Sequence, residues 1–120
     1  MSIFADVAVW AIACLHAYIL VLEMFLWTGP RARAAFGTTA EFAEQTRALA
    51  GNQGLYNGFL CAGLVWGALA SDPVGHQVKV FFLVCVGVAG LYGAATAARK
   101  ILFVQTIPAL LALILVFAAR

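Results

Sequence analysis

His16 and Glu23 are the residues in this sequence best suited to move a proton. They stand seven positions apart in an apolar stretch. At 3.6 residues per turn both fall on one helix face, about 10 Å apart along the axis. A neutral imidazole and a carboxylate can exchange protons near neutral pH. An ionisable group within a membrane span costs roughly 2.5 kcal/mol or more, so each calls for a function or a partner. Trp27 continues the same face. The competing reading of His16 is a core histidine bonded to a neighbouring backbone group or hydroxyl. Glu23 needs a cation, a proton or several donors wherever it sits.

The helices that must position these groups follow from composition. The chain has 120 residues, 65% hydrophobic and only 10% charged, against about 25% charged in a soluble domain. A domain this apolar could not cover its surface in water, so its expected solvent is lipid. A net charge of +2 makes no case for nucleic acid. Four apolar segments, 7–27, 54–70, 80–98 and 101–119, recur along the chain. Each is near the ~20 residues that cross ~30 Å of hydrocarbon, and in lipid their backbone groups must bond internally, as helices do. The expected fold is all-α: a polytopic membrane protein, a four-transmembrane-helix bundle in a single domain over residues 1–120. The first segment lacks a basic flank and has 21 residues, which predicts a retained span and not a cleaved signal.

The connection 28–53 is long and polar. Thr38-Thr39-Ala40-Glu41 fits a capping box with Thr38 as N-cap and Glu41 at the third helical position. Phe42, Ala43, Thr46, Leu49 and Ala50 follow at helical spacing, and Gly51 can stop the helix. This predicts a short amphipathic helix over 39–50 lying at the interface, with Phe36 and Phe42 as anchors. Five basic residues, Arg31, Arg33, Arg47, Arg99 and Lys100, fall on one side of such a bundle; two, Lys79 and Arg120, fall on the other. The positive-inside rule then puts the first and third connections in the cytoplasm and both termini on the non-cytoplasmic side; the expected location is the inner (plasma) membrane of a bacterium.

Every segment carries polar residues toward the cytoplasmic side. Gln53, Tyr56 and Asn57 open the second, Tyr92 and Lys100 close the third, and Gln105 opens the fourth. Pro108 follows, freeing the carbonyl of Val104 and kinking the helix. The expected site is a polar pocket in the cytoplasmic half, with Glu23 and His16 handling a proton. Trp27, Gln53, Tyr56, Asn57, Tyr92, Lys100 and Gln105 would contact a ligand. An apolar pocket with a few placed polar groups suits an amphipathic, lipid-like molecule, in a binding protein or an enzyme. Asn52 and Gln53 also read as helix caps, and Arg99 and Lys100 as a topology signal.

Small residues recur every four positions, as in Gly54, Gly58 and Ala62 or Ala89, Gly93 and Ala97. Such rows let helices approach closely, within one chain or in a homo-oligomer. Several chemistries lack their motifs. Cys14, Cys61 and Cys85 form no C-x-x-C pair, which argues against thiol exchange. There is no Gly-rich phosphate loop, no nucleophile elbow and no other cofactor signature. His16 and His76 are predicted on opposite sides of the bundle, so no metal site is expected.

With Glu23-Met24-Phe25-Leu26-Trp27, Asn52-Gln53-Gly54-Leu55-Tyr56-Asn57-Gly58, Tyr92-Gly93-Ala94-Ala95 and Lys100-Ile101-Leu102-Phe103-Val104-Gln105 placed, nearly the whole chain resembles one family. These are small bacterial and fungal membrane proteins classed as domain of unknown function 1304. The resemblance implies four helices and brings no established activity. Two rival functions stay open. One is a proton-coupled exporter acting as a homodimer, since the size, the spans and the first-helix carboxylate look like the small multidrug transporters. The other is a non-catalytic scaffold.

Overall fold

The computed structural model describes residues 2–119. Arg120, which enters the count of basic residues, and Met1 lie outside the described residues. Among the described residues the chain is all-helical, with six α-helices and one π-helical turn. Helix α1 spans Ile3–Met24, about 33 Å at 1.5 Å per residue. Ser2 Oγ caps it, accepting from the amides of Phe4 at 3.2 Å and Ala5 at 3.4 Å. The helix ends three residues before Trp27: Leu26 N–H reaches back to Val21 O at 3.2 Å, and Gly29 N–H bonds Leu26 O at 2.9 Å. Trp27 therefore sits in a turn and not in the first span.

The connection holds two short helices where the sequence predicts one. Helix α2, Pro30–Phe36, starts with a proline in its first turn and ends at Gly37, whose φ of 70° closes the left-handed cap; the Pro-start and Gly-stop pair is its signature. Helix α3, Ala40–Gln45, is capped by Thr39, whose hydroxyl accepts from Phe42 N–H at 3.1 Å. The expected N-cap, Thr38, is one residue too early. Gly51 does not stop a helix either. Helix α4 runs from Arg47 to Leu69 and carries Gly51 in its interior, so the predicted helix over 39–50 is divided between α3 and the first turn of α4.

Helix α5, Val74–Thr96, begins six residues before the expected boundary at 80. Its first turn is held by Asp72 Oδ1, which accepts from His76 N–H at 3.1 Å. Beyond α5 a π-helical turn covers Leu102–Thr106, and α6 follows over Ile107–Ala118. The cause lies in Pro108. It has no N–H to offer the Val104 carbonyl, and the backbone widens so that Ile107 N–H bonds Leu102 O. By length and composition two helices can cross a membrane, Ile3–Met24 and Val74–Thr96. Helix α4 begins with polar residues, and Leu102–Ala118 is shorter.

The residues group into two compact units, and the division falls within α1 and α4. One unit is Cys14–Cys61. Its buried residues are His16, Leu22, Glu23, Ala32, Ala43, Ala50 and Gly54, so two of the seven are ionisable. Within it α1 lies close against α4 at two glycines. A Cβ on Gly54 would fall 2.6 Å from Met24 Cγ and 3.2 Å from Leu20 O, and one on Gly58 would fall 2.6 Å from Leu20 Cδ1. The other unit comprises the chain up to Ala13 and from Ala62 onward. Its core includes Ala5, Val9, Leu64, Leu83, Val86 and the α6 residues Ala109, Ala112 and Val116. There α5 packs against the π turn and α6, and Gly90 leaves room for Thr106. The surface is apolar: Phe81 is 61% exposed, Val88 60% and Leu110 56%.

Candidate functional site

The candidate site lies in the unit Cys14–Cys61. Helix periodicity puts His16 and Glu23 on one face of α1, and both are buried, His16 at 0% and Glu23 at 9% exposure. Asn57 of α4 joins them. Its Oδ1 lies 2.8 Å from His16 Nδ1, and its Nδ2 donates to Glu23 Oε1 at 2.8 Å. The second hydrogen on Nδ2 goes to Gln53 O at 3.0 Å. A short amide reaches both partners only where the helix backbones run close. Gly54 and Gly58, on either side of Asn57, permit that approach.

The hydrogen positions follow from the partners. Asn57 Nδ2 faces two oxygen acceptors, which fixes the orientation of the amide. Oδ1 is then the atom facing His16, and Oδ1 only accepts, so Nδ1 carries the hydrogen. The far nitrogen, His16 Nε2, is buried and has no hydrogen-bond partner. The amide also stands between the imidazole and the carboxylate. An amide passes no proton readily, so Asn57 separates the two groups as far as direct proton exchange is concerned.

Among the other residues expected at the site, Gln53 contributes its backbone carbonyl while the residue itself is exposed. Tyr56 is exposed and its ring lies 6.0 Å from that of Phe59. Trp27 donates from Nε1 to Thr46 Oγ1 at 3.1 Å, and its ring lies 5.0 Å from Phe36. Thr46 Oγ1 in turn donates to Phe42 O at 2.7 Å. Trp27 thus ties the turn after α1 to α2 and α3. Arg31, just outside the apolar helix, is paired with the Tyr18 phenol, which raises its pKa further above the ordinary arginine range.

Tyr92, Lys100 and Gln105 belong to the other unit. Tyr92 and Lys100 are exposed, and Gln105 donates to Val86 O at 3.3 Å. That unit holds a group which sequence reasoning placed in a loop: Lys79, 1% exposed, on α5. Its stem lies against Gly67, where a Cβ would fall 2.7 Å from Lys79 Cγ. The signal was available in the spacing of Gly75, Lys79, Leu83, Val86 and Gly90, which share one buried face. An open depression in the same unit is lined by Asp72, Pro73, His76 and Gln77. None of these four has a buried polar atom lacking a partner, whereas His16 Nε2 is one. Among the described residues no group of three or more His, Cys, Asp and Glu is placed to hold a metal ion.

Comparison with known proteins adds membership. Residues 10–117 match the family described as "Protein of unknown function (DUF1304)". An uncharacterized protein, YpaA of Lactococcus lactis subsp. lactis (strain IL1403), is 33% identical over 99 residues, covering 81% of this chain and 82% of its own. No solved structure matches the chain. On the strength of the match across nearly its full length, the chain belongs to the DUF1304 family of proteins of unknown function.

Proposed function

We propose that this chain is a multi-pass integral membrane protein that binds the polar end of an amphipathic, lipid-like molecule at His16, Asn57 and Glu23. The observation that carries the reading is His16 Nε2, a buried polar atom with no partner, beside a buried carboxylate on the same helix face. An unsatisfied buried group costs about 1–3 kcal/mol, and a bound head group would recover it. Membrane residence is supported by the distribution of residues. Three ionisable residues, His16, Glu23 and Lys79, are buried, while large apolar side chains such as Phe81 and Leu110 face outward, an arrangement that suits lipid better than water. Four spans, rather than the two that pass on length and composition, require α4 and the helix broken by the π turn to cross as well. The five-to-two basic count supports non-cytoplasmic termini.

The exporter reading needs two Glu23 carboxylates facing each other in a homodimer. Glu23 already accepts from Asn57 within its own chain, which favours the binding reading. The test is the content of the purified protein. Wild-type chain extracted gently from its native membrane should carry a tightly held amphiphile detectable by mass spectrometry. Glu23→Gln keeps an acceptor for Asn57 but removes the titratable carboxyl, and should be folded and empty. A Gln variant that retains the same amphiphile, or a wild type that carries none, contradicts the proposal.

A further inference from the structure

Resting on that binding reading, we infer the chemical class of the head group: it is a hydrogen-bond donor, a hydroxyl, received by His16 Nε2. The argument is one of counting. Asn57 spends both amide hydrogens, on Glu23 Oε1 at 2.8 Å and Gln53 O at 3.0 Å, so its Oδ1 is what meets His16 Nδ1 at 2.8 Å. Nδ1 must then donate. The neutral imidazole is left with one free position, the lone pair on Nε2, and that atom is buried without a partner. His16 itself is 0% exposed, so bulk water does not reach it.

A lone pair asks for a donor. An alkanol or a phenol offers an O–H; an ether, an ester, a ketone or a quinone offers only further lone pairs and would leave Nε2 as unsatisfied as before. Sites built to hydrogen-bond a ligand hydroxyl discriminate strongly against analogues that lack it, because the protein group is stranded. The arrangement also orients the ring as a general base is oriented, with Nδ1–H held by an oxygen and Nε2 turned to the ligand. The apolar setting of the site suits a long hydrocarbon tail. The ligand class is therefore a long-chain hydroxyl compound, either an aliphatic alcohol or a hydroquinone.

The experiment uses the full chain in detergent with two matched probe pairs: farnesol against farnesyl methyl ether, and decylhydroquinone against decylquinone. Binding is measured by equilibrium dialysis. In parallel, the nitrogen resonance of His16 Nε2 is followed in ¹⁵N-histidine-labelled protein, the chain having only two histidines. One member of a pair, the donor, should bind about tenfold tighter than its partner and alone move the His16 Nε2 resonance. The pair that shows this tells alkanol from phenol. His16→Asn keeps a donor at the Nδ1 position for Asn57 and deletes Nε2; it should erase the preference. Equal binding within both pairs, with the Nε2 resonance unmoved and with Glu23→Gln abolishing both, overturns the hydroxyl inference and leaves the binding reading standing. No binding of any probe by folded wild-type protein overturns both.

Discussion

Asn57 Nδ2 donates to Glu23 Oε1 at 2.8 Å across 34 residues of sequence, while the oxygen of the same amide meets His16 at 2.8 Å across 41. One small side chain therefore holds two ionisable groups of another helix, and its removal strands both. Asn57→Leu should lower stability by about 1–2 kcal/mol, the range for polar contacts between membrane helices. The check is reversible unfolding in mixed micelles. In a double-mutant cycle with His16→Phe the losses should be less than additive; full additivity would mean the two residues are not coupled.

The glycines of α4 should respond in opposite ways. A Cβ on Gly54 would lie 2.6 Å from Met24 Cγ and 3.0 Å from Glu23 Cβ. Gly54→Val should therefore force α1 and α4 apart, cost about 1–3 kcal/mol and weaken ligand retention by moving Asn57 from Glu23. Gly51 has nothing within 4 Å of its Cβ position and lies inside the helix. Gly51→Ala should stabilise the protein by about 0.5–1 kcal/mol. A loss on Gly51→Ala would restore the idea that this residue ends a helix.

Trp27 is a tether. Trp27→Phe keeps a ring facing Phe36 but removes the 3.1 Å bond to Thr46. It should cost about 1 kcal/mol and speed amide exchange in α2 and α3. Thr46→Val should produce the same exchange pattern, and protection unchanged in both variants would show the bond to be dispensable.

The proposed orientation rests on the basic count. A periplasmic reporter fused after residue 120 should be active and a cytoplasmic one silent, since five of seven basic residues fall on the side away from the termini. Cytoplasmic activity from a fusion that still inserts would reverse the assignment.

The short helices offer a local check of capping. Thr39→Ala removes the acceptor for Phe42 N–H and should destabilise α3 by about 1 kcal/mol, whereas Thr38→Ala should leave Phe42 protected. Exchange measured at the Phe42 amide distinguishes them, and equal loss in both variants would return the cap to Thr38.

The sequence by itself determined the helical, apolar character of the chain, its family, and the common face of His16 and Glu23. Those properties are local: composition chooses the solvent, and a period of 3.6 residues places any two positions of one helix relative to each other. Asn57 was legible as a polar residue in an apolar stretch, but so were Gln53, Tyr56, Tyr92, Lys100 and Gln105. Tertiary structure selected among them, because which helix faces meet depends on how near the backbones come, and Gly54 and Gly58 let α4 approach α1 where Asn57 projects. The same holds for Lys79. A boundary drawn at the first unbroken apolar run left it in a loop, while α5 starts at Val74, early enough to carry it into the buried face. Periodicity orders residues within a helix; only packing decides which partner, dozens of residues away, stands opposite.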